Sequence, residues 1–127
     1  MKNSFESLVT NLRKSREKCP WSNDMEIEQY VKELQSETKE VVNAIKKKDI
    51  ENLKEELGDV LMDVLFLGVI AEEKKLFTVK EMISEVNTKL KRRKPWVFGT
   101  EIVLTKNHAI QRWNEIKQQE KLQKCKC

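Results

Sequence analysis

Six acidic residues lie symmetrically about a single point in the first half of the chain. Three precede Lys48 and three follow it, and they are Glu33, Glu37, Glu40, Glu56, Asp59 and Asp63. Residues three or four apart share one face of a helix, so each trio predicts one acidic helix face. If the chain folds back near residue 48, the facing pairs are Glu40 with Glu56, Glu37 with Asp59, and Glu33 with Asp63.

Carboxylates gathered in this way repel one another unless a cation lies among them. Asp59 and Asp63 also interrupt an otherwise apolar stretch, residues 57–71, where an unpaired buried carboxylate is strongly unfavourable. Protonation or a salt bridge to Lys39 or Lys54 would relieve this, but the mirrored spacing favours a metal. Mg²⁺ prefers oxygen ligands and keeps phosphate oxygens in its shell, and two such ions can clamp a phosphoryl group.

Basic residues in the second half of the chain could bind the phosphates. Lys89 and Arg93 are four residues apart and share a helix face, and Lys117 follows Trp113 at the same spacing. A cation beside an aromatic ring could hold a phosphate and stack on a base. The alternatives are a solvated basic helix end and a core tryptophan with a surface lysine.

These side chains must be positioned by helices. The chain has 127 residues, 36% of them charged, with only 3 Gly and 2 Pro, which indicates a single all-α domain over 1–127. Apolar periodicity and capping residues predict an antiparallel bundle of about five helices. The predicted helices cover 4–17, 25–47, 50–74, 79–93 and 106–122, with caps at Asp24, Asp49 and Thr78–Glu81. Residues 94–104 are predicted to form a loop or short extended piece, and residues 123–127 a frayed tail.

The apolar stretch, the net charge and the cysteines of the sequence predict the partners and the location of the protein. The stretch 57–71 is apolar almost all round its helix, so we expect a homodimer or homotetramer to cover it. The formal charge of +4 suits an anionic ligand without requiring nucleic acid. No signal peptide or membrane-spanning run is apparent, and three cysteines form no disulfide framework, so we expect a cytoplasmic protein.

Taken together, these segments resemble the MazG-type nucleoside triphosphate pyrophosphohydrolases, part of an all-α superfamily. The resemblance covers residues 19–121 in five ordered segments. They are Cys19-Pro20-Trp21, Glu37-x-x-Glu40, Glu55-Glu56-Leu57-Gly58-Asp59-Val60-Leu61, the run from Asn87 to Gly99, and Trp113-x-x-Ile116-Lys117-x-x-Glu120-Lys121. Glu-x-x-Glu alone is a weak motif, whereas five segments in this order are specific.

The resemblance implies Mg²⁺-dependent hydrolysis of a nucleoside triphosphate to its monophosphate and pyrophosphate, in a helical oligomer with sites near the subunit interfaces. By position in the motifs it implies catalytic metal ligands and substrate contacts. The metal ligands would be Glu37, Glu40, Glu56 and Asp59, the phosphate contacts Lys89, Arg93 and Lys117, and the nucleoside contact Trp113.

One position departs from the family pattern. The family has Glu immediately before the residue matched by Glu37, and this chain has Ser36, which carries no charge and is a poor proton acceptor. Catalysis could be slower, or Glu33 could take that place from one turn earlier. Two alternatives stand beside a general enzyme. One is a selective dUTP, dCTP or damaged-nucleotide pyrophosphatase, and the other, which Ser36 allows, is a catalytically weak helical interaction or nucleic-acid-binding protein.

Overall fold

The computed structural model describes residues 1–125, and every regular element in that part of the chain is an α-helix. The six helices are α1 Lys2–Lys18, α2 Ile27–Lys47, α3 Ile50–Glu73, α4 Val79–Arg93, α5 Pro95–Phe98 and α6 Lys106–Cys125. The all-α prediction is therefore confirmed. The chain divides into two compact units, Met1–Met82 and a second that begins at Ile83. Within residues 1–125, no helix combines the length and the apolar character needed to cross a bilayer.

The centre of the first unit is an antiparallel hairpin of α2 and α3. Only Lys48 and Asp49 separate the two helices, and Lys48 adopts a left-handed backbone conformation with φ of 54°. The side chain of Asp49 accepts a hydrogen bond from the backbone N–H of Asn52 at 3.1 Å, which confirms the predicted cap. The turn predicted near residue 48 is thus present, and it sets the register of the two acidic helix faces.

The predicted start of α2 was wrong by two residues. Glu26 rather than Asp24 caps the helix, because the Gln29 side chain accepts a hydrogen bond from the backbone N–H of Glu26 at 3.0 Å. The Glu26 carboxylate also pairs with Lys74, which follows α3. This long-range ion pair favours Glu26 at the helix start, and nothing in the local sequence reports it.

Helix α1 packs on the second half of α3 and forms the core of this unit. Val9 and Leu12 are buried, as are the α3 side chains Leu65, Phe66, Val69, Ile70 and Ala71. The buried guanidinium of Arg16 donates to Glu73 and to the carbonyls of Ser22 and Met25. Arg16 therefore ties the segment between α1 and α2 to the end of α3.

The second unit required two corrections. Residues Pro95–Phe98 form a short helix where a loop or extended piece was predicted, since proline at the first helical position already has the required φ. Helix α6 continues to Cys125, three residues past its predicted end at residue 122. The last part of the predicted frayed tail, 126–127, lies outside the described residues. The capping box of α4 is confirmed, because Thr78 and Glu81 exchange hydrogen bonds at 3.0 and 3.2 Å.

Candidate active site

Three carboxylates come together on the facing sides of α2 and α3. Oxygen atoms of Glu37, Glu56 and Asp59 all lie within 4.8 Å of one another, and the three side chains are half-buried. Glu56 and Asp59 share a face because they are three residues apart on α3, and the hairpin sets Glu37 of α2 against them. The spacing predicted this convergence from both sides of the turn.

The carboxylates of this cluster disturb one another's ionisation. A hydrogen bond with Glu56, partial burial, and the charges of Glu56, Asp59 and Asp63 together raise the pKa of Glu37 to about 7. Within the described residues, no lysine or arginine forms an ion pair with any of the three carboxylates. Lys54, one of the two candidate partners, pairs with Glu51 at 2.9 Å. The salt-bridge alternative is therefore not realised in residues 1–125.

A buried aspartate lies one helical turn beyond Asp59. Asp63 is only 3% exposed, and Tyr30 donates its hydroxyl hydrogen to Asp63 Oδ1 at 2.8 Å. Burial raises the pKa of Asp63, the Tyr30 hydrogen bond lowers it, and the charges of Glu33 and Asp59 raise it further. Burial and the neighbouring carboxylate likewise raise the pKa of Tyr30, whose ring packs on Phe66 with centroids 4.6 Å apart.

Tyr30 was missed as a site residue, because its place in the apolar pattern of α2 is that of an ordinary core side chain. Its spacing could have revealed it, because Tyr30 lies three residues before Glu33 and seven before Glu37, on the same helix face. The charge of Glu33 acts on Asp63, in keeping with their predicted pairing. Glu33, Ser36 and Glu40 are exposed, and Glu40 is not among the three clustered carboxylates. The role of Glu40 as a ligand stays a prediction.

The donor set suits a hard divalent cation. Oε2 of Glu56 and Oδ2 of Asp63 are buried and have no hydrogen-bond partner in the described part of the chain. A buried carboxylate oxygen without a donor is strongly unfavourable, and an oxygen-seeking cation is one of the few groups that would satisfy several at once. The residues present therefore fit Mg²⁺, although the identity of the ion stays a prediction.

The predicted substrate-binding residues all lie in the second unit. The Arg93 guanidinium lies 5.1 Å from the ring centroid of Trp113, within cation–π range, and donates to Glu120 at 3.0 Å. Lys89, Arg93 and Lys117 line one cleft of about 450 Å³ between α4 and α6. The structure thus brings together the three cations predicted to contact phosphates, and it holds Trp113 against one of them.

This chain therefore falls in a class of all-α proteins that carry clustered carboxylates on a helix hairpin and a cationic cleft, and that suit a divalent ion and an anionic ligand. Comparison with known proteins identifies the family within this class. Residues 25–98 match the model of the MazG nucleotide pyrophosphohydrolase domain. The chain belongs to this family, and the resemblance found in its sequence is confirmed.

The chain is also similar to individual members. It is 40% identical over 119 residues, 92% of its length, to a Thermotoga maritima protein named nucleoside triphosphate pyrophosphohydrolase/pyrophosphatase MazG. It is 31% identical over 125 residues to the nucleoside triphosphate pyrophosphohydrolase of Escherichia coli K12. The match covers 45% and 48% of these two proteins, so the chain spans about half the length of the curated relatives it matches.

A solved structure shares the fold. The crystal structure of a mazG-related protein from Thermotoga maritima superposes with a TM-score of 0.78 at 35% identity. The superposition covers 89% of this chain and 98% of that one. The helical architecture of this chain is therefore shared over almost the whole length of that crystallised chain.

Proposed function

We propose that this chain is a Mg²⁺-dependent nucleoside triphosphate pyrophosphohydrolase, which converts (d)NTPs to (d)NMPs and pyrophosphate and clears unwanted nucleotides from the pool. The observation that carries the proposal is the cluster of Glu37, Glu56 and Asp59, with oxygens within 4.8 Å and no cationic partner in the described residues. Membership of the MazG family and the names of its relatives support the substrate class.

Glu37, Glu56 and Asp59 are the residues that would hold Mg²⁺, with Glu40 as a fourth ligand. When bound, the ion supplies positive charge against the phosphates and lowers the pKa of a water molecule. The raised pKa of Glu37 supports this assignment, because a site that leaves carboxylates partly protonated is a site that favours a cation.

The remaining steps fall to the protein's own side chains. Water attacks the α-phosphorus, the bond from that phosphorus to the bridging oxygen breaks, and pyrophosphate leaves with that oxygen. Exposed Glu33 accepts the proton of the water, in place of the carboxylate that Ser36 lacks. Lys89, Arg93 and Lys117 neutralise the charge that develops on the departing pyrophosphate. Trp113, held beside Arg93, packs against the nucleoside.

The working form of the protein is a homodimer or homotetramer. Leu57, Leu61 and Val64 share one face of α3 by spacing, yet they are 51%, 44% and 37% exposed in the single chain. An apolar helix face left open in this way is typical of a subunit interface. Light scattering coupled to gel filtration measures the mass directly, and a monomer at working concentration would contradict this assembly.

A pyrophosphate-release screen tests the function. Purified protein is assayed over canonical and modified NTPs and dNTPs, with Mg²⁺ and with EDTA. We expect release only with Mg²⁺, and a fall of at least about 100-fold in kcat for Asp59→Asn, since a lost metal ligand removes charge stabilisation in the transition state. Asp24→Asn makes the same chemical change at an exposed residue and should retain full activity.

Helical circular dichroism must be unchanged in both variants for the comparison to count. Pyrophosphate release that survives Asp59→Asn with unchanged kcat, or that is equally fast in EDTA, would refute the mechanism. The kcat/KM profile across bases separates a general enzyme from a selective one. Glu33→Gln tests the proton acceptor, because its kcat should fall while KM for the nucleotide stays constant.

A further inference from the structure

The cleft between α4 and α6 carries more positive charge than a triphosphate contact requires. Eight residues of the described range 1–125 line it, and six of them are cationic: Lys89, Arg92, Arg93, Lys117, Lys121 and Lys124. The proposed phosphate contacts, Lys89, Arg93 and Lys117, account for three of these. The other three lie in the same cleft and have no role in the proposed function.

The arginines and the lysines of the cleft differ in their partners. Glu120, the one carboxylate among the lining residues that the structure describes, accepts hydrogen bonds from Arg92 at 3.1 Å and from Arg93 at 3.0 Å. No carboxylate of residues 1–125 forms an ion pair with any of the four lysines of the cleft. The lysine charges are therefore available to a ligand, whereas one arginine charge is already balanced by Glu120.

The lysines of α6 form a row. Lys117, Lys121 and Lys124 follow one another at intervals of four and three residues, so they lie on one helix face and span about 10 Å at the rise of an α-helix. Trp113 lies one turn before Lys117, so the row extends away from the proposed nucleoside contact. Like charges at these intervals repel one another, and a polyanion laid along the row would relieve that repulsion.

We propose that this cleft binds a linear phosphate chain longer than a triphosphate, with Lys121 and Lys124 contacting the phosphates beyond those held by Lys89, Arg93 and Lys117. This inference rests on the proposed function, which places a triphosphate in the same cleft. A nucleic-acid strand fits less well, because strand binding uses aromatic side chains that stack on bases. Trp113, which lies beside Arg93, could stack one base, but the eight described lining residues include no aromatic side chain for the bases that would follow.

Binding is measured by calorimetry in the Asp59→Asn background with EDTA present, so that neither hydrolysis nor the carboxylate cluster contributes. The probes are inorganic tripolyphosphate and a medium-chain linear polyphosphate. We expect the longer chain to bind about tenfold more tightly, as one or two additional charge-assisted contacts would give.

Two double variants distinguish the effect of the cleft lysines from the effect of general surface charge. Lys121→Gln with Lys124→Gln should reduce the advantage of the longer chain to about twofold or less, with tripolyphosphate affinity nearly unchanged. Lys91→Gln with Lys106→Gln removes the same charge from exposed positions of α4 and α6 outside the cleft. This control pair should keep the full advantage of the longer chain.

Kinetics of the active protein distinguish the source of the chain. A higher kcat/KM for adenosine tetraphosphate than for ATP, lost in the Lys121/Lys124 variant, indicates a nucleotide-borne chain. Inhibition of ATP hydrolysis by free polyphosphate without that preference indicates an inorganic chain. Because binding is measured in an inactive protein, absence of any hydrolysis by the unaltered chain would count against the proposed function and leave the binding result standing.

Three results would overturn the inference. Equal affinity for the two chain lengths shows that the cleft contacts no more phosphates than a triphosphate has. An equal loss in the control pair shows that net charge, rather than the row, is responsible. An RNA strand with a 5′-monophosphate that binds as tightly, with the same dependence on Lys121 and Lys124, assigns the cleft to nucleic acid instead.

Discussion

Replacing Tyr30 with phenylalanine should expose the energetic role of the buried Asp63. The variant keeps the aromatic ring that packs on Phe66 and deletes only the hydroxyl that donates to Asp63 Oδ1 at 2.8 Å. The other oxygen of Asp63 already has no hydrogen-bond partner in the described residues, so a carboxylate only 3% exposed would be left without a donor.

The expected effect depends on pH. A hydrogen bond to an ionised group contributes about 2 kcal/mol, so the free energy of unfolding should fall by about that amount at pH 8. The Tyr30 hydrogen bond lowers the pKa of Asp63 and therefore favours its ionised form. The loss is then largest above the folded pKa of Asp63 and shrinks below it, toward about 1 kcal/mol for a neutral bond near pH 4.

Urea denaturation followed by circular dichroism, in EDTA at both pH values, measures these differences. Asp63→Asn is the matched control, because its amide is neutral at every pH. In that background, Tyr30→Phe should cost about 1 kcal/mol with no pH dependence. A penalty for Tyr30→Phe that is equal at both pH values in the otherwise unaltered chain would refute the reasoning, as would the absence of any penalty at pH 8.

Three further outcomes are expected from thermal and urea denaturation. Arg16→Met removes a buried guanidinium from a carboxylate and two carbonyls, and it should lower the free energy of unfolding by about 3 kcal/mol. Arg13→Met removes a half-exposed ion pair and should lower it by less than about 1 kcal/mol. Similar losses in the two variants would contradict the stabilising role of the buried Arg16. Folding raises the pKa of Glu37 from its ordinary 4.5 to about 7, so between these values the folded metal-free protein holds a proton that the unfolded chain has lost. The free energy of unfolding should therefore fall as pH rises from 5 to 8, and Mg²⁺ should reverse the fall. A free energy of unfolding that rises over this range without metal would contradict this prediction. Gly99→Ala places a Cβ 2.9 Å from a carbonyl oxygen and should destabilise by about 1 kcal/mol or more, while Gly58→Ala meets nothing within 4 Å and should be neutral or stabilising.

Local signals in the sequence predicted most of the helices correctly. Asp49 and the Thr78–Glu81 box mark helix starts because each satisfies backbone N–H groups within its own first turn. The start of α2 was missed because Glu is an uncommon N-cap residue, although Glu26 and Gln29 form a local capping box and Lys74, which is distant in sequence, also pairs with Glu26. The short helix at Pro95 was missed because four residues give no periodicity to detect.

The acidic cluster was predictable for a different reason. Spacing in two helices and one turn is enough to place Glu37 against Glu56 and Asp59. The partners of the buried groups were not predictable, because Tyr30 looked like an ordinary core residue and its hydroxyl contact to Asp63 depends on how the two helices pack. Pairing of Arg93 with Glu120 also depends on packing, between α4 and α6.

Calorimetric titration of the metal-free protein with Mg²⁺ tests the central claim most directly. If Glu37, Glu56 and Asp59 hold the ion, binding at pH 7 should release protons, because a carboxyl whose pKa is raised to about 7 is partly protonated there and must ionise to coordinate. The measured enthalpy should therefore vary with the ionisation enthalpy of the buffer, and Glu37→Gln should abolish that dependence. Undetectable Mg²⁺ binding, or binding unchanged in both Glu37→Gln and Asp59→Asn, would contradict the account.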